Sequence, residues 1–243
     1  MQSKEVLLWH MQSKKYVNGF GAVKAIFFDM DGVIYDSMGN HSEAWSKAFG
    51  YMGWDFPLEQ VYLNEGRTGS STIHLLYQEK LGRQASDEEI GRIYGKKTEL
   101  FDKMPKPKPM PGILKLMERA KAAGMEIWVV TGSGQDLLLD ELCSDFSGLV
   151  QKGKIISGKD VTNCKPHPEP YLTALARSGY SADQAVVIEN APLGVEAAKA
   201  AGIFTIGINT GILEDEILWN SGADVVVKEV DQVEGLIFLS ELK

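Results

Sequence analysis

Four short stretches of this chain are apolar at nearly every position, and each runs straight into a small polar motif. Ala25-Ile26-Phe27-Phe28 ends in Asp-Met-Asp-Gly, and Met125 to Val130 ends in Thr-Gly-Ser-Gly. Ala185 to Ile188 ends in Glu-Asn, and Phe204 to Ile208 ends in Asn-Thr-Gly. Runs without a polar face predict strands buried on both sides of a sheet and stopped by turn-forming residues. Between them the apolar spacing changes to three and four residues. Ile113, Leu114, Met117 and Ala120 make one such stripe, Tyr171, Leu172, Leu175 and Ala176 another, and Pro192 to Ala201 a third with proline in its first turn. Alternating buried strands and helices predict an α/β fold: a doubly wound, Rossmann-like parallel sheet with helices on both faces.

Residues from about 37 to 105 break the alternation. They carry three amphipathic helical stripes and no convincing buried strand: Ala44, Trp45, Ala48, Phe49 and Met52; Ile73, Leu76, Tyr77 and Leu81; and Ile90, Ile93, Tyr94, Leu100, Phe101 and Met104. Ser86 and Glu89 have the spacing of a capping box opening the third helix. Trp54 and Phe56 read as core of the same unit. The run Pro105-Lys106-Pro107-Lys108-Pro109-Met110-Pro111-Gly112 is too rich in proline to be helical and predicts a stiff extended connector. The organisation expected is an amino-terminal extension at 1–20, a core at 21–36 and 106–243, and a helical cap at 37–105. The cap hangs from the proline run and from the stretch between Ile34 and Asn40, as a lid would.

Composition narrows the function. A net charge of -8 excludes a general nucleic-acid or anionic-membrane surface, so any phosphate must be met by local cations. Two cysteines, Cys143 and Cys164, make no disulfide framework and have no metal-ligand spacing, which suits a reducing, cytoplasmic setting. No apolar run is long enough to span a bilayer, and no signal peptide is read in the short patch Val6 to Trp9. Met-Gln-Ser-Lys occurs at Met1 and again at Met11, so either chance or a second start is at work. No protein partner is implied.

The polar motifs carry the chemistry. Ligands of open parallel sheets bind beyond the carboxyl ends of the strands. Asp29 and Asp31 end the first strand, Thr131 and Ser133 the second, and Glu189 and Asn190 a third, while Lys165 precedes a helix in Lys-Pro-His-Pro. Singly, each has a bland reading: Asp-x-Asp-Gly and Thr-Gly-Ser-Gly as turns, Lys-Pro as a solvated pair, Glu-Asn as a helix start. Together, in this order and context, they resemble the haloacid dehalogenase superfamily over about residues 23–228. The resemblance implies a magnesium-dependent phosphoryl-transfer enzyme. Asp29 would be the nucleophile, forming an aspartyl-phosphate, and Asp31 the general acid and then base. Thr131, Gly132 and Ser133 would bind phosphate oxygens, and Lys165 would balance charge. Mg2+ would be held by Asp29, the main-chain carbonyl of Asp31, Glu189 and Asn190. The physical need is plain, because a carboxylate and a phosphate repel by about 4 kcal/mol per charge pair at roughly 4 Å in an effective dielectric near 20.

Within the superfamily the chain is most similar to the β-phosphoglucomutase branch, and His41 matches that branch's hinge histidine. Two positions depart from it. Asn190 stands where a second metal-binding aspartate is common, and Gly69 falls where the arginine that grips a sugar's remote phosphate is expected. Glu65, in the cap loop Asn64-Glu65-Gly66-Arg67-Thr68-Gly69, is the candidate to restore the missing charge at the metal on closure, and Arg67 is a candidate substrate contact. The expected substrate is a small phosphorylated compound, first of all inorganic pyrophosphate. A β-phosphoglucomutase or sugar-phosphate phosphatase is the alternative. A phospho-accepting receiver module is the reading from another class, and the helical insert weighs against it.

Overall fold

The computed structural model of the chain describes residues 23–238. The expected extension at 1–20, with its repeated tetrapeptide, lies outside the described residues. Six parallel strands form one sheet among those residues: β1 (Ala25–Phe28), β2 (Glu126–Val130), β3 (Ile155–Ile156), β4 (Ala185–Glu189), β5 (Phe204–Ile208) and β6 (Val225–Val227), in the order β3-β2-β1-β4-β5-β6. The four strands expected from their apolar runs are the central ones. The two short outer strands, β3 and β6, were not legible, because two or three apolar residues do not separate a strand from a loop.

β1 lies between β2 and β4, with Phe28 opposite Val129 on one side and Ile188 on the other. The chain builds β2 and β3 to one side of β1 and then crosses to β4, so the switch point of the sheet falls at the end of β1. Pleating divides even this uniformly apolar strand. Ile26 and Phe28 face a layer formed by α5 (Ile113–Ala122), α6 (Asp136–Asp145) and α10 (Val230–Ile237), through Leu116, Leu142 and Val233. Ala25 and Phe27 face α7 (Glu169–Ser178) and α8 (Pro192–Ala200), through Tyr171 and Ala197. α9 (Asp215–Asn220) packs Leu218 on Val195 and Val226 at the β6 edge.

The insert between β1 and α5 contains four helices: α1 (Met38–Gly50), α2 (Leu58–Leu63), α3 (Gly69–Leu81) and α4 (Asp87–Asp102). The short α2 is the one the apolar stripes did not show. The insert has its own core of Trp45, Phe49, Phe56, Ile73, Leu76, Tyr77 and Ile93, against which Trp54 packs. The capping box at α4 is present, Ser86 Oγ accepting from Glu89 N at 3.3 Å and Glu89 Oε2 accepting from Ser86 N at 2.8 Å. The proline run is non-helical as expected, and Pro109 pairs with Tyr35 in an isolated bridge. The other connector is shorter than expected, because α1 begins at Met38, before Asn40.

Candidate active site

Asp29 is the first residue past β1, and its N–H donates to Ile188 O at 3.0 Å, so the central strand pair aims it out of the sheet. Lys165 reaches it from the loop before α7. The ammonium is buried and donates to Asp29 Oδ1 at 2.5 Å, Glu189 Oε1 at 2.6 Å and Val130 O at 3.0 Å. Glu189 is held in turn by Tyr171 OH, donating to Oε1 at 2.9 Å, and by Ala191 N–H, donating to Oε2 at 3.0 Å. Gly194 in α8 leaves room for it, since a Cβ there would collide with the Glu189 carboxylate. Glu189, expected at the metal, therefore has both oxygens engaged in anchoring Lys165 and the start of α8. Tyr171, in this network through its hydroxyl, read in sequence only as part of an apolar stripe.

Asp31 belongs to a second network. Its Oδ1 accepts from Ser37 Oγ at 2.7 Å and from His41 Nε2 at 3.0 Å. Behind the ring, Lys97 Nζ lies 3.1 Å from His41 Nδ1. An ionised Asp31 can only accept, so Nε2 carries the proton in that contact. Lys97, from α4, is buried in the insert, with its ammonium 4.7 Å from the Phe101 ring centre. Sequence reasoning missed it. The one available signal was a lysine three residues before Leu100 and four before Phe101 on an apolar helix stripe.

The two aspartates titrate in opposite directions. Burial pushes Asp29 well above the usual carboxylate range, with Glu189 and Asp31 adding to the rise and Lys165 opposing it. Burial alone would raise Asp31 too, but His41, Ser37 and Lys97 outweigh it and hold that carboxyl at about 2. Burial lowers Lys97, against the pull of Asp31 and Glu65. Lys165 is raised despite burial, because Asp29 and Glu189 share it.

The insert closes over these groups through glycines. Gly66 lies on the stem of Lys165, where a Cβ would come within 3.0 Å of Cδ, and a Cβ on Gly132 would come within 3.1 Å of Gly66 O. Asp29, Asp31, His41, Glu65, Arg67, Thr131, Gly132 and Ser133 all line one cavity between the sheet edge and the insert. Glu65 is raised by burial and by Asp31, and lowered by His41, the Gly66 N–H and Lys97, which places its carboxyl in the Asp31 network. Arg67 donates to neutral acceptors, Asn64 Oδ1 at 3.2 Å and Ser71 Oγ at 3.5 Å. Thr131 Oγ1 accepts from Ser133 N–H at 3.1 Å, which tightens the turn. At Gly69 any side chain would strike the ring of Tyr94, whose hydroxyl accepts from Gln135 Nε2 at 2.9 Å across the cavity.

The donor set suits a hard divalent cation. Asn190 Oδ1 is buried with no hydrogen-bond partner, an orphaned acceptor, and its amide lies against Gly32 in the turn after Asp31, where a Cβ would collide with it. Asp29 and Glu189 share a single ammonium, leaving two buried carboxylates with one cation. Among the described residues no three acidic, imidazole or thiol side chains already converge as a metal cluster. What the chain presents is mixed oxygen ligation by carboxylate, main-chain carbonyl and amide, the kind magnesium accepts while keeping water.

Known proteins place this geometry. A family model described as haloacid dehalogenase-like hydrolase matches residues 26–208. A solved candidate β-phosphoglucomutase from Bacteroides vulgatus is 43% identical over 99% of this chain and 98% of its own, with a TM-score of 0.88. Among curated proteins, validoxylamine A 7'-phosphate phosphatase of Streptomyces hygroscopicus subsp. limoneus is 29% identical, covering 86% of this chain and 95% of its own length. Glycerol-1-phosphate phosphohydrolase 1 of Saccharomyces cerevisiae is also 29% identical, covering 87% and 84%. No helix among the described residues is long and apolar enough to cross a membrane. The match over residues 26–208 and the likeness to these relatives along most of their length show that the chain belongs to the haloacid dehalogenase-like hydrolases, as an enzyme of their phosphatase and β-phosphoglucomutase-like group.

Proposed function

We propose that the protein is a magnesium-dependent phosphohydrolase that forms an aspartyl-phosphate on Asp29 and acts on a small phosphorylated substrate, with inorganic pyrophosphate the best fit. The observation that carries the substrate reading is the filled space at Gly69: the Tyr94 ring stands where a side chain gripping a remote sugar phosphate would have to pass.

Lys165 occupies Asp29 Oδ1, which leaves Oδ2 to attack phosphorus. The P–O bond to the leaving group breaks as the acyl-phosphate bond forms. Thr131, Gly132 and Ser133 hold the non-bridging oxygens, with Arg67 across the cavity. Asp29, the Asp31 carbonyl and Asn190 Oδ1, with Glu65 on closure, would hold magnesium, which would supply positive charge between the carboxylate and the phosphate. Glu189 contributes by holding Lys165. Asp31, ionised and aligned by Ser37, His41 and Lys97, takes the proton of the water that cleaves the acyl-phosphate and restores Asp29. An ionised Asp31 also favours a leaving group that needs no proton. Phosphate leaves as a far weaker base than a sugar alkoxide.

The second reading, a β-phosphoglucomutase or sugar-phosphate phosphatase, is favoured by the names of the relatives above. Magnesium-dependent phosphate release decides between them, using pyrophosphate, a panel of sugar and glycerol phosphates, and glucose 1-phosphate with its bisphosphate primer. Wild type is expected to prefer pyrophosphate, and Glu65→Ala to lose that preference. Inert pyrophosphate with accumulating glucose 6-phosphate makes the protein a mutase.

A further inference from the structure

The Asn-Thr-Gly motif that ends β5 has no part in the chemistry above, yet it sits against both the insert and the nucleophile loop. Asn209 braces it: its N–H donates to Val227 O at 2.7 Å, and its Nδ2 donates to Leu213 O at 2.8 Å and Asp215 Oδ1 at 2.5 Å. Thr210 Oγ1 donates to Gly32 O at 2.7 Å, across 178 residues of chain. Gly32 has φ +82 and lies against the Asn190 amide, so this bond fixes the turn carrying Asp29 and Asp31 relative to Asn190. The next residue, Gly211, meets the insert. A Cβ there would come within 2.5 Å of Tyr62 Cε1 and 2.8 Å of Cδ1, so one edge of the ring from α2 rests against bare backbone. Gly211 is not among the glycines with positive φ. Its backbone conformation would accept an L side chain, and what requires glycine is the contact with Tyr62.

We propose that Asn209-Thr210-Gly211 is the seat on which the closed insert rests, and that Thr210 is a positioning residue that holds the nucleophile loop beneath it. Tyr62 is three residues before Glu65 and five before Arg67, so seating its ring sets how deeply that loop enters the cavity. The same short, braced loop then registers the insert against the turn that carries Asp29. This inference rests on the phosphoryl-transfer reading of the site and is independent of which small phosphate compound is the substrate.

The test compares wild type with Gly211→Ala, Gly211→Val, Gly211→Val combined with Tyr62→Ala, Thr210→Val and Thr210→Ser. Each is assayed on whichever compound of the phosphate panel wild type turns over fastest, and amide hydrogen exchange is followed at residues 58–66 in the substrate-free protein. Gly211→Val is expected to lower kcat/KM and speed exchange at 58–66, each by about tenfold, and the milder Gly211→Ala by about threefold. Adding Tyr62→Ala makes room for the new side chain and recovers about threefold or more of the lost kcat/KM. Thr210→Val is expected to lower kcat about tenfold with KM little changed, and Thr210→Ser, which keeps the hydroxyl, to restore it. Wild-type kcat/KM in Gly211→Val, or a loss that Tyr62→Ala leaves untouched, overturns the seat. A serine variant as impaired as the valine variant overturns the positioning role. Wild type inert to pyrophosphate would overturn the substrate reading alone, since these ratios are measured on the best compound of the panel.

Discussion

The sheet edge and the helical insert contribute to one cavity by different physics. At the sheet edge every group is fixed by backbone that is itself buried. Asp29 hangs from the β1–β4 ladder, and Lys165 is gripped by Asp29, Glu189 and Val130 at once. Glu189 is fully buried and Lys165 2% exposed, so neither can relax without breaking a charged contact. The insert places Glu65, Arg67 and Tyr94 by a loop and a helix that belong to another hydrophobic core, and it meets the sheet edge through close contacts at Gly66 and Gly132 and the hydrogen bond between Gln135 and Tyr94. On the proposed reading the sheet edge carries the reaction, and the insert decides what enters and when water is present. Such a division lets substrate range change by substitution in the insert while the chemistry stays as it is.

The comparison would break most sharply at Asp29. Asp29→Asn is expected to reduce turnover on the order of 10⁴-fold with the protein still folded, because the nucleophile is lost and no insert residue can replace it. Retained turnover, read by phosphate release, would place the chemistry outside the sheet edge. Next in size is Lys165→Met. It strands Asp29 and Glu189 as buried carboxylates without a cation, at a cost of about 3–5 kcal/mol, and thermal unfolding should begin roughly 10 °C lower. Such a loss of stability would be out of place for a residue of the insert loop.

Tyr94→Ala sharpens the comparison from the other side. It opens the space at Gly69 and should raise the kcat/KM of a sugar phosphate relative to pyrophosphate by about tenfold, with the melting temperature changed far less than in Lys165→Met. An unchanged ratio would show that the insert does not select by size. The smallest effect concerns pH. Asp29 is raised by burial and must be ionised to attack, so activity should fall as pH drops through a value above the usual carboxylate range. Magnesium binds only the ionised form and competes with the proton. A tenfold rise in magnesium should therefore move the acid limb towards lower pH by at most about one unit. A limb insensitive to magnesium would mean that the ion does not meet Asp29.

What the order of residues determined by itself was the frame and its reactive edge. Uniformly apolar runs forced the four central strands, and the polar motifs at their ends had nowhere to go but the carboxyl edge of the sheet, so Asp29, Asp31, Thr131, Lys165 and Asn190 were legible as one site. The capping box at Ser86 and the non-helical proline run were legible because their causes are local, a side chain meeting nearby backbone and rings that cannot donate. What only the tertiary structure decided are the contacts between residues distant along the chain. The resemblance implied a metal role for Glu189, and the fold adds a contact that the sequence did not show, the hydroxyl of Tyr171 and the ammonium of Lys165 meeting on its Oε1. Lys97 read as one more helix lysine until folding buried it behind His41. Gly69 looked like a missing arginine, and the fold shows the space taken by Tyr94 from another helix. Periodicity records which face of an element is buried. It carries no record of which buried group will face which, and that pairing is set by packing across elements that the chain brings together only when it folds.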